Sequence, residues 1–340
     1  MITKAIYRLC LLALVSLGFL FFVLDLMIGS VYIPFSDLLD VLIGVDVGHA
    51  SWEYIVLNYR LPKAVTAVLV GLSLSVSGLL MQTLFRNPLA GPSVLGISNG
   101  AGMGVAVLMM SSVLGTWAST SVWGLVLASV LGSLLVLALV LLISFRMKNI
   151  YSLLIIGIMI GSVSGAMISV LQYFSNAKDI QSYVLWTFGS LSGMTWTSLQ
   201  ILIPIVLFGL LAIIPLLKGL NAMLLGETYA EGLGINIKRY RVLVILITCL
   251  LVGSITSFCG PIAFVGLAVP HIARALYRSA NHYALFPLSI LIGLNLMLIC
   301  DIIAQLPWSS KVLPINAVTA LIGAPIVILV VFKSSKTVQV

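Results

Sequence analysis

The sequence predicts an all-α, polytopic membrane protein of about ten transmembrane helices with both termini in the cytoplasm. Three observations carry this: a composition too apolar for water, apolar runs of membrane-spanning length along the whole chain, and basic residues gathered on one side of those runs. Of the 340 residues 61% are hydrophobic and only 8% charged, against roughly 25% charged in a soluble domain. A hydrocarbon layer of about 30 Å takes roughly 20 residues of helix. Within it each backbone amide must find its partner inside its own segment, so the runs are expected to be helices.

Apolar runs bounded by turn and charge signals place the spans near 6 to 28, 62 to 84, 94 to 112, 121 to 144, 150 to 174, 197 to 217, 241 to 259, 264 to 279, 284 to 306 and 315 to 333. The first begins like a signal peptide, with Lys4 and Arg8 before the apolar stretch, but no small-x-small cleavage site precedes Asp25, so it reads as an uncleaved helix. The whole chain, 1 to 340, reads as one transmembrane domain.

With the N-terminus inside, 13 of the 17 basic residues fall on the cytoplasmic side, and only Arg60, Lys63, Lys178 and Lys311 remain outside. The positive-inside rule predicts this for an even number of spans. It also accounts for the net charge of +8 without nucleic acid as a partner. Membrane lipid is the partner that the composition demands.

Two polar stretches exceed a turn. Residues 29 to 61 lie outside and end on Arg60, with Lys63 close behind. Residues 218 to 241 lie inside and interleave Leu224, Leu225, Leu233 and Ile235 with Glu227, Glu231, Lys238, Arg239 and Arg241, a pattern suited to one or two short helices on the membrane face.

Chemistry-bearing motifs are sparse. Gly100, Gly102 and Gly104 follow no strand and open an apolar run, so they read as close helix contacts rather than a dinucleotide loop. None of the nine lysines follows a glycine, so there is no P-loop, and ATP would have to be bound by another chain. Cys10, Cys249, Cys259 and Cys300 form no C-x-x-C pair, and His49, His271 and His282 are dispersed. Neither a metal site nor a catalytic residue nor a cofactor is indicated. His271 is expected in a structural polar network. Asp301 is the one carboxylate well inside a late span, either a functional charge or half of a structural pair. Breaks at Asn87, Pro88, Gly91, Pro92 and Gly96, and at Gly260, Pro261, Gly266 and Pro270, lie on opposite faces in the two halves, as inverted repeats would leave them.

At these residues the chain resembles the permease family of ABC importers for iron-siderophores, haem and cobalamin. The likeness runs from about residue 30 to 333 through Arg60-Leu61-Pro62-Lys63, Gly78, Gln82, Arg86-Asn87-Pro88-Leu89-Ala90, Leu95-Gly96-Ile97, Gly189-Ser190-Leu191-Ser192-Gly193, Leu225-Gly226-Glu227, Gly260-Pro261, Pro270-His271-Ile272-Ala273-Arg274 and Gly323-Ala324-Pro325. It implies a homodimer or pseudo-dimer in the bacterial inner membrane, a path between the subunits, a cytoplasmic ATP-binding subunit and a periplasmic or lipid-anchored substrate-binding protein. It also implies roles for single residues: Arg60 and Lys63 at the docked binding protein; Gly226, Glu227, Ala230, Leu233 and Gly234, within about 221 to 240, in ATPase coupling; Asn87, Leu89, Ile150 and Tyr151 at the cytoplasmic gate. A further basic docking position of the family is Gln305 here, with Lys311 nearby. Within the resemblance, bulk at Ile150 and Tyr151, together with the Gly189-Ser190-Leu191-Ser192-Gly193 run, favours an iron chelate or haem over cobalamin. An ion-coupled secondary transporter is the rival class and a membrane enzyme the third, but the first would want more buried titratable groups.

Overall fold

The computed structural model describes residues 4–45, 49–111, 122–147, 150–306 and 311–335; of residues 50, 145, 150, 151, 330, 331 and 333–335 it describes the backbone alone. Lys148 and Lys336, two of the basic residues counted on the cytoplasmic side, lie outside that set, as does Asp46. Every regular element among the described residues is helical. In chain order the α-helices are α1 (Lys4–Met27), α2 (Phe35–Ile43), α3 (Ala50–Ile55), α4 (Leu61–Leu84), α5 (Ile97–Met110), α6 (Val122–Arg146), α7 (Ile150–Phe174) and α8 (Ala177–Thr187). They continue with α9 (Trp196–Ile213), α10 (Leu217–Leu224), α11 (Glu227–Gly232), α12 (Ile237–Cys259), α13 (Val265–Tyr277), α14 (His282–Ala304) and α15 (Ile315–Ser335).

Each expected span overlaps a helix. Seven helical stretches among the described residues are long and apolar enough to cross a membrane. The expected spans that fall short in length are α5 and α13. At 14 and 13 residues, α5 and α13 are about 20 Å long, well under the hydrocarbon thickness. Both follow the Pro-Gly breaks. Gly96 enters α5 at φ +76°, and Gly260 and Phe264 precede α13 at φ +74° and +67°, so the chain turns sharply before each half-length helix.

The second span differs from its expected start. A π-turn at Val56–Arg60 joins α3 to α4, and the helix runs unbroken from Ser51 to Leu84. The reason is Pro62, which has no amide hydrogen to offer the preceding turn. In the π register the carbonyl it would have served is that of Leu57, and Trp196 Nε1 donates to it at 2.8 Å. The outer helix α8 was not foreseen.

The core is built around α4, which is buried on nearly every face and packs against α14, α13, α12, α9 and α1. Glycines permit this. A Cβ on Gly78 would overlap the backbone carbonyl of Gly266 in α13, and one on Gly71 would overlap that of Gly293 in α14. Without a hydrophobic effect between helices in lipid, close backbone approach is a main source of packing attraction.

Candidate functional site

Two polar clusters stand out in this apolar chain, one at each end of α4. At the outer end Arg60 is 7% exposed, and its guanidinium donates to the carbonyls of Leu26 (2.7 Å), Met27 (3.0 Å) and Val31. Leu26 and Met27 end α1, so Arg60 caps that helix, meeting its unpaired carbonyls and the negative end of its dipole. One turn on, Lys63 Nζ lies 3.0 Å from Asp301 Oδ1. Gln305 Nε2 donates to Asp25 Oδ1 at 2.7 Å and contacts Asp301 Oδ2 at 3.5 Å, linking two carboxylates from opposite ends of the sequence. Lys63 and Asp301 also line a cavity of about 200 Å³ with Gly189–Ser192 and Val312–Ile315.

This placement bears on several expectations. Arg60 and Lys63 were expected to face a docked protein, yet their charged ends turn into the chain. Asp301 is one half of a buried pair. Gln305 stands where the family's basic residue was expected, and an amide suits the position because it donates to both carboxylates. Lys311 is exposed beside the same cavity mouth. The sequence reading missed Asp25 as a member of this cluster, having taken it only as the polar end of the first apolar run.

At the inner end a second network joins the loop after α4 to the helices at 217 to 232. His271 Nε2 meets the Pro88 carbonyl at 2.8 Å, in the structural role expected of it. Arg274 donates to Gln82 Oε1, and Gln82 Nε2 donates to the Leu267 carbonyl at 3.2 Å. His282 sits between Thr83 Oγ1 (2.7 Å from Nε2) and Asn221 Oδ1 (2.8 Å from Nδ1). Nδ1 donates to the Asn221 oxygen, and Nε2 lies within hydrogen-bond reach of Thr83 Oγ1, whose hydroxyl is also 2.9 Å from the Leu79 carbonyl. Gln82, Thr83, Arg274 and His282 border a cavity of about 180 Å³ with Arg86 and Pro88. Thr83, Asn221 and His282 were not foreseen, since nothing local in the sequence brings residues 83, 221 and 282 together.

The expected coupling segment is two short helices, α10 and α11, as the interleaved pattern suggested. Gly226 (φ +121°) and Gly234 (φ +81°) bracket α11, with open space where a Cβ would stand. Ala230 is buried, whereas Leu225, Tyr229 and Leu233 are 68%, 54% and 60% exposed. Such a knob of apolar side chains on a polar stretch marks a contact surface. Glu227 Oε1 lies 3.8 Å from Arg241 Nη2, tying α11 to the start of α12. Of the residues expected at the gate, Leu89 is exposed and Asn87 Oδ1 accepts its backbone amide at 2.9 Å. Ile150 and Tyr151 open α7, but their side chains lie outside the described set. No group of three or more His, Cys, Asp or Glu among the described residues could hold a metal ion.

Comparison with known proteins gives one answer at the level of family. A family model described as the FecCD transport family matches residues 16–333. A vitamin B12 import system permease protein, BtuC, of Klebsiella pneumoniae is 35% identical over 338 residues, covering 97% of this chain and 93% of its own length. Its namesake of Salmonella paratyphi A is 36% identical over 296 residues, covering 84% and 86%. Among solved structures, an inward-facing transporter described as of the metal-chelate ABC type is 31% identical with a TM-score of 0.84, covering 96% of this chain and 99% of that one. PsaBC of Streptococcus pneumoniae, solved with a Fab, has a TM-score of 0.52 at 17% identity, covering 87% and 95%, a likeness of fold alone.

Proposed function

The chain belongs to the FecCD transport family of ABC importer permeases, and from that premise we propose that its cargo is a corrinoid of the vitamin B12 class. The observation that carries this is the full-length likeness to permeases named for vitamin B12. It reverses the order of the sequence reading, which put an iron chelate or haem first on the bulk of Ile150 and Tyr151. That second reading keeps one support, the neighbour described as of the metal-chelate type. Uptake by cells or proteoliposomes carrying the permease with its own ATPase and binding protein separates the two. ATP-dependent accumulation of labelled cyanocobalamin, unaffected by excess ferric siderophore or haem, is expected. Accumulation of an iron chelate without cobalamin would restore the earlier order.

In this reading the permease has ten spans with both termini in the cytoplasm of the bacterial cell. It works as a homodimer with two copies of a separate ATP-binding subunit inside and one substrate-binding protein outside. Reporter fusions after Lys336 and within residues 218 to 241 should report cytoplasm, and fusions near Asp46 the outside; a periplasmic C-terminus would overturn this arrangement.

Energy coupling is assigned to the knob at α11. ATP closing the ATPase dimer would shift α10 and α11, and the inner network from Asn221 through His282 and Thr83 to the end of α4 offers a packed route to Asn87 and Leu89. Gly234→Trp adds bulk where space is open and the backbone is left-handed. It is expected to leave the permease folded but to lower ATPase association about tenfold or more, since apolar contacts at an interface centre often carry over 2 kcal/mol. Pull-down of the ATPase subunit with coupled uptake measures it, and normal values of both would sink the assignment. Outer docking is assigned to a surface whose shape depends on Arg60 and Lys63 as internal ties, with Lys311 exposed at its edge.

A further inference from the structure

A cavity larger than the two described above is unrelated to either polar cluster. It is an apolar groove of about 730 Å³ between α6, α9 and α12, floored by Ser133, Leu137, Phe208, Leu246, Leu250 and Gly253. All three helices are among those long and apolar enough to cross a membrane, so the groove lies at membrane depth. From Leu243 to Gly253 along α12 it extends about 15 Å, the length of roughly a dozen methylene groups.

Charge at one end says what fits it. On α12 the residues Arg239, Leu243, Leu246, Leu250 and Gly253 follow one another at helical spacing, so Arg239 stands on the groove stripe one turn beyond its end. Across from it, Pro215 and Leu216 line the groove and Lys218 follows within a turn. The two basic residues flank a single contact, because Gly219 packs directly on the ring of Tyr240. Both are exposed. An apolar slot whose mouth carries two cations on the basic side of the chain has the chemistry of an anionic lipid site.

We propose that this groove binds one anionic phospholipid of the inner leaflet, an acyl chain lying between α6, α9 and α12 and the phosphate meeting Lys218 and Arg239. The site shares no lining residue with the cavities at the two polar clusters and does not depend on which cargo is carried.

Native mass spectrometry of the delipidated permease, titrated with phosphatidylglycerol or with phosphatidylcholine of the same chains, tests it. One cation near an anionic headgroup contributes a factor of about five, so a preference for phosphatidylglycerol of about twenty-fivefold is expected for two. Lys218→Ser with Arg239→Ser should abolish the preference and leave chain binding in place. Gly253→Leu fills the groove, and its first added carbon meets Ser133 at an ordinary 3.7 Å, so folding should survive. That variant should lose bound lipid of both kinds, and Leu246→Trp repeats the test two turns away. Equal retention of the two lipids by the unaltered protein, or undiminished retention by both filled variants, overturns the proposal. So does a dimer whose cross-links run through Phe208 and Leu246, since a second copy would then occupy the groove.

Discussion

Replacing Gly78 with leucine is expected to abolish the folded protein. Gly78 and Gly71 lie seven residues apart on α4, two helical turns along nearly one face, and each meets a glycine of another helix, Gly266 of α13 and Gly293 of α14. What a side chain at 78 would strike is backbone, the Gly266 carbonyl, which cannot rotate away as a side chain could. Overpacking of a core by side chains costs about 1–3 kcal/mol. Here α4 and α13 would have to separate along their length, and the Gln82 bond to the Leu267 carbonyl would go with them. Fluorescence-detected size exclusion of the detergent extract should show aggregate or no protein for Gly78→Leu. Gly165→Ala is the control, because a Cβ there meets nothing within 4 Å and alanine raises helix propensity. Its extract should run as the parent does. A monodisperse Gly78→Leu permease would show that the crossing of α4 and α13 is not the tight contact described.

These contacts mark how far the sequence could be read. Helix existence was legible, since apolar runs in a bilayer admit little else and basic residues order them. The Pro-Gly breaks were legible as breaks. Their partners were not: Gly78 was visible as a residue of the family pattern, but Gly71 and Gly293 carry no signal that pairs them across 222 residues. The start of the second span was misjudged because Pro62 reads as a helix boundary. A π-turn and an indole on a distant helix absorb the missing amide instead. The partners of the outer charges were not legible for a related reason. Arg60 and Lys63 read as outer basic residues, Asp25 as the polar end of a run and Asp301 as a charge inside a late span, and only the packing of α1, α4 and α14 brings them together. The helices of the inner stretch were more legible because their information is local, two short helices of which the second is bracketed by Gly226 and Gly234.

Removing Lys63 is the change that tells an internal tie from a docking contact. Asp301 and Asp25 share Gln305 at the outer ends of α14 and α1, and Lys63 supplies the salt bridge to Asp301 at 3.0 Å. Lys63→Met leaves a buried carboxylate without its cation, an uncompensated charge that costs about 3–5 kcal/mol when a buried pair is broken on one side. The cavity beside the pair admits some water, which places the expected loss near the lower figure. Lys63→Met with Asp301→Asn removes both charges and keeps the amide able to bond Gln305, so most of the loss should be recovered. Thermal unfolding in detergent measures the cycle. Association of the binding protein at low and moderate salt supplies the second reading. If Lys63 met an acidic residue of that partner, single and double variants would lose association alike, and the loss would shrink with salt. An internal tie gives the other pattern: the double variant regains stability and docks at the normal rate, while the single variant docks poorly only because the ends of α1, α4 and α14 no longer hold the surface in shape.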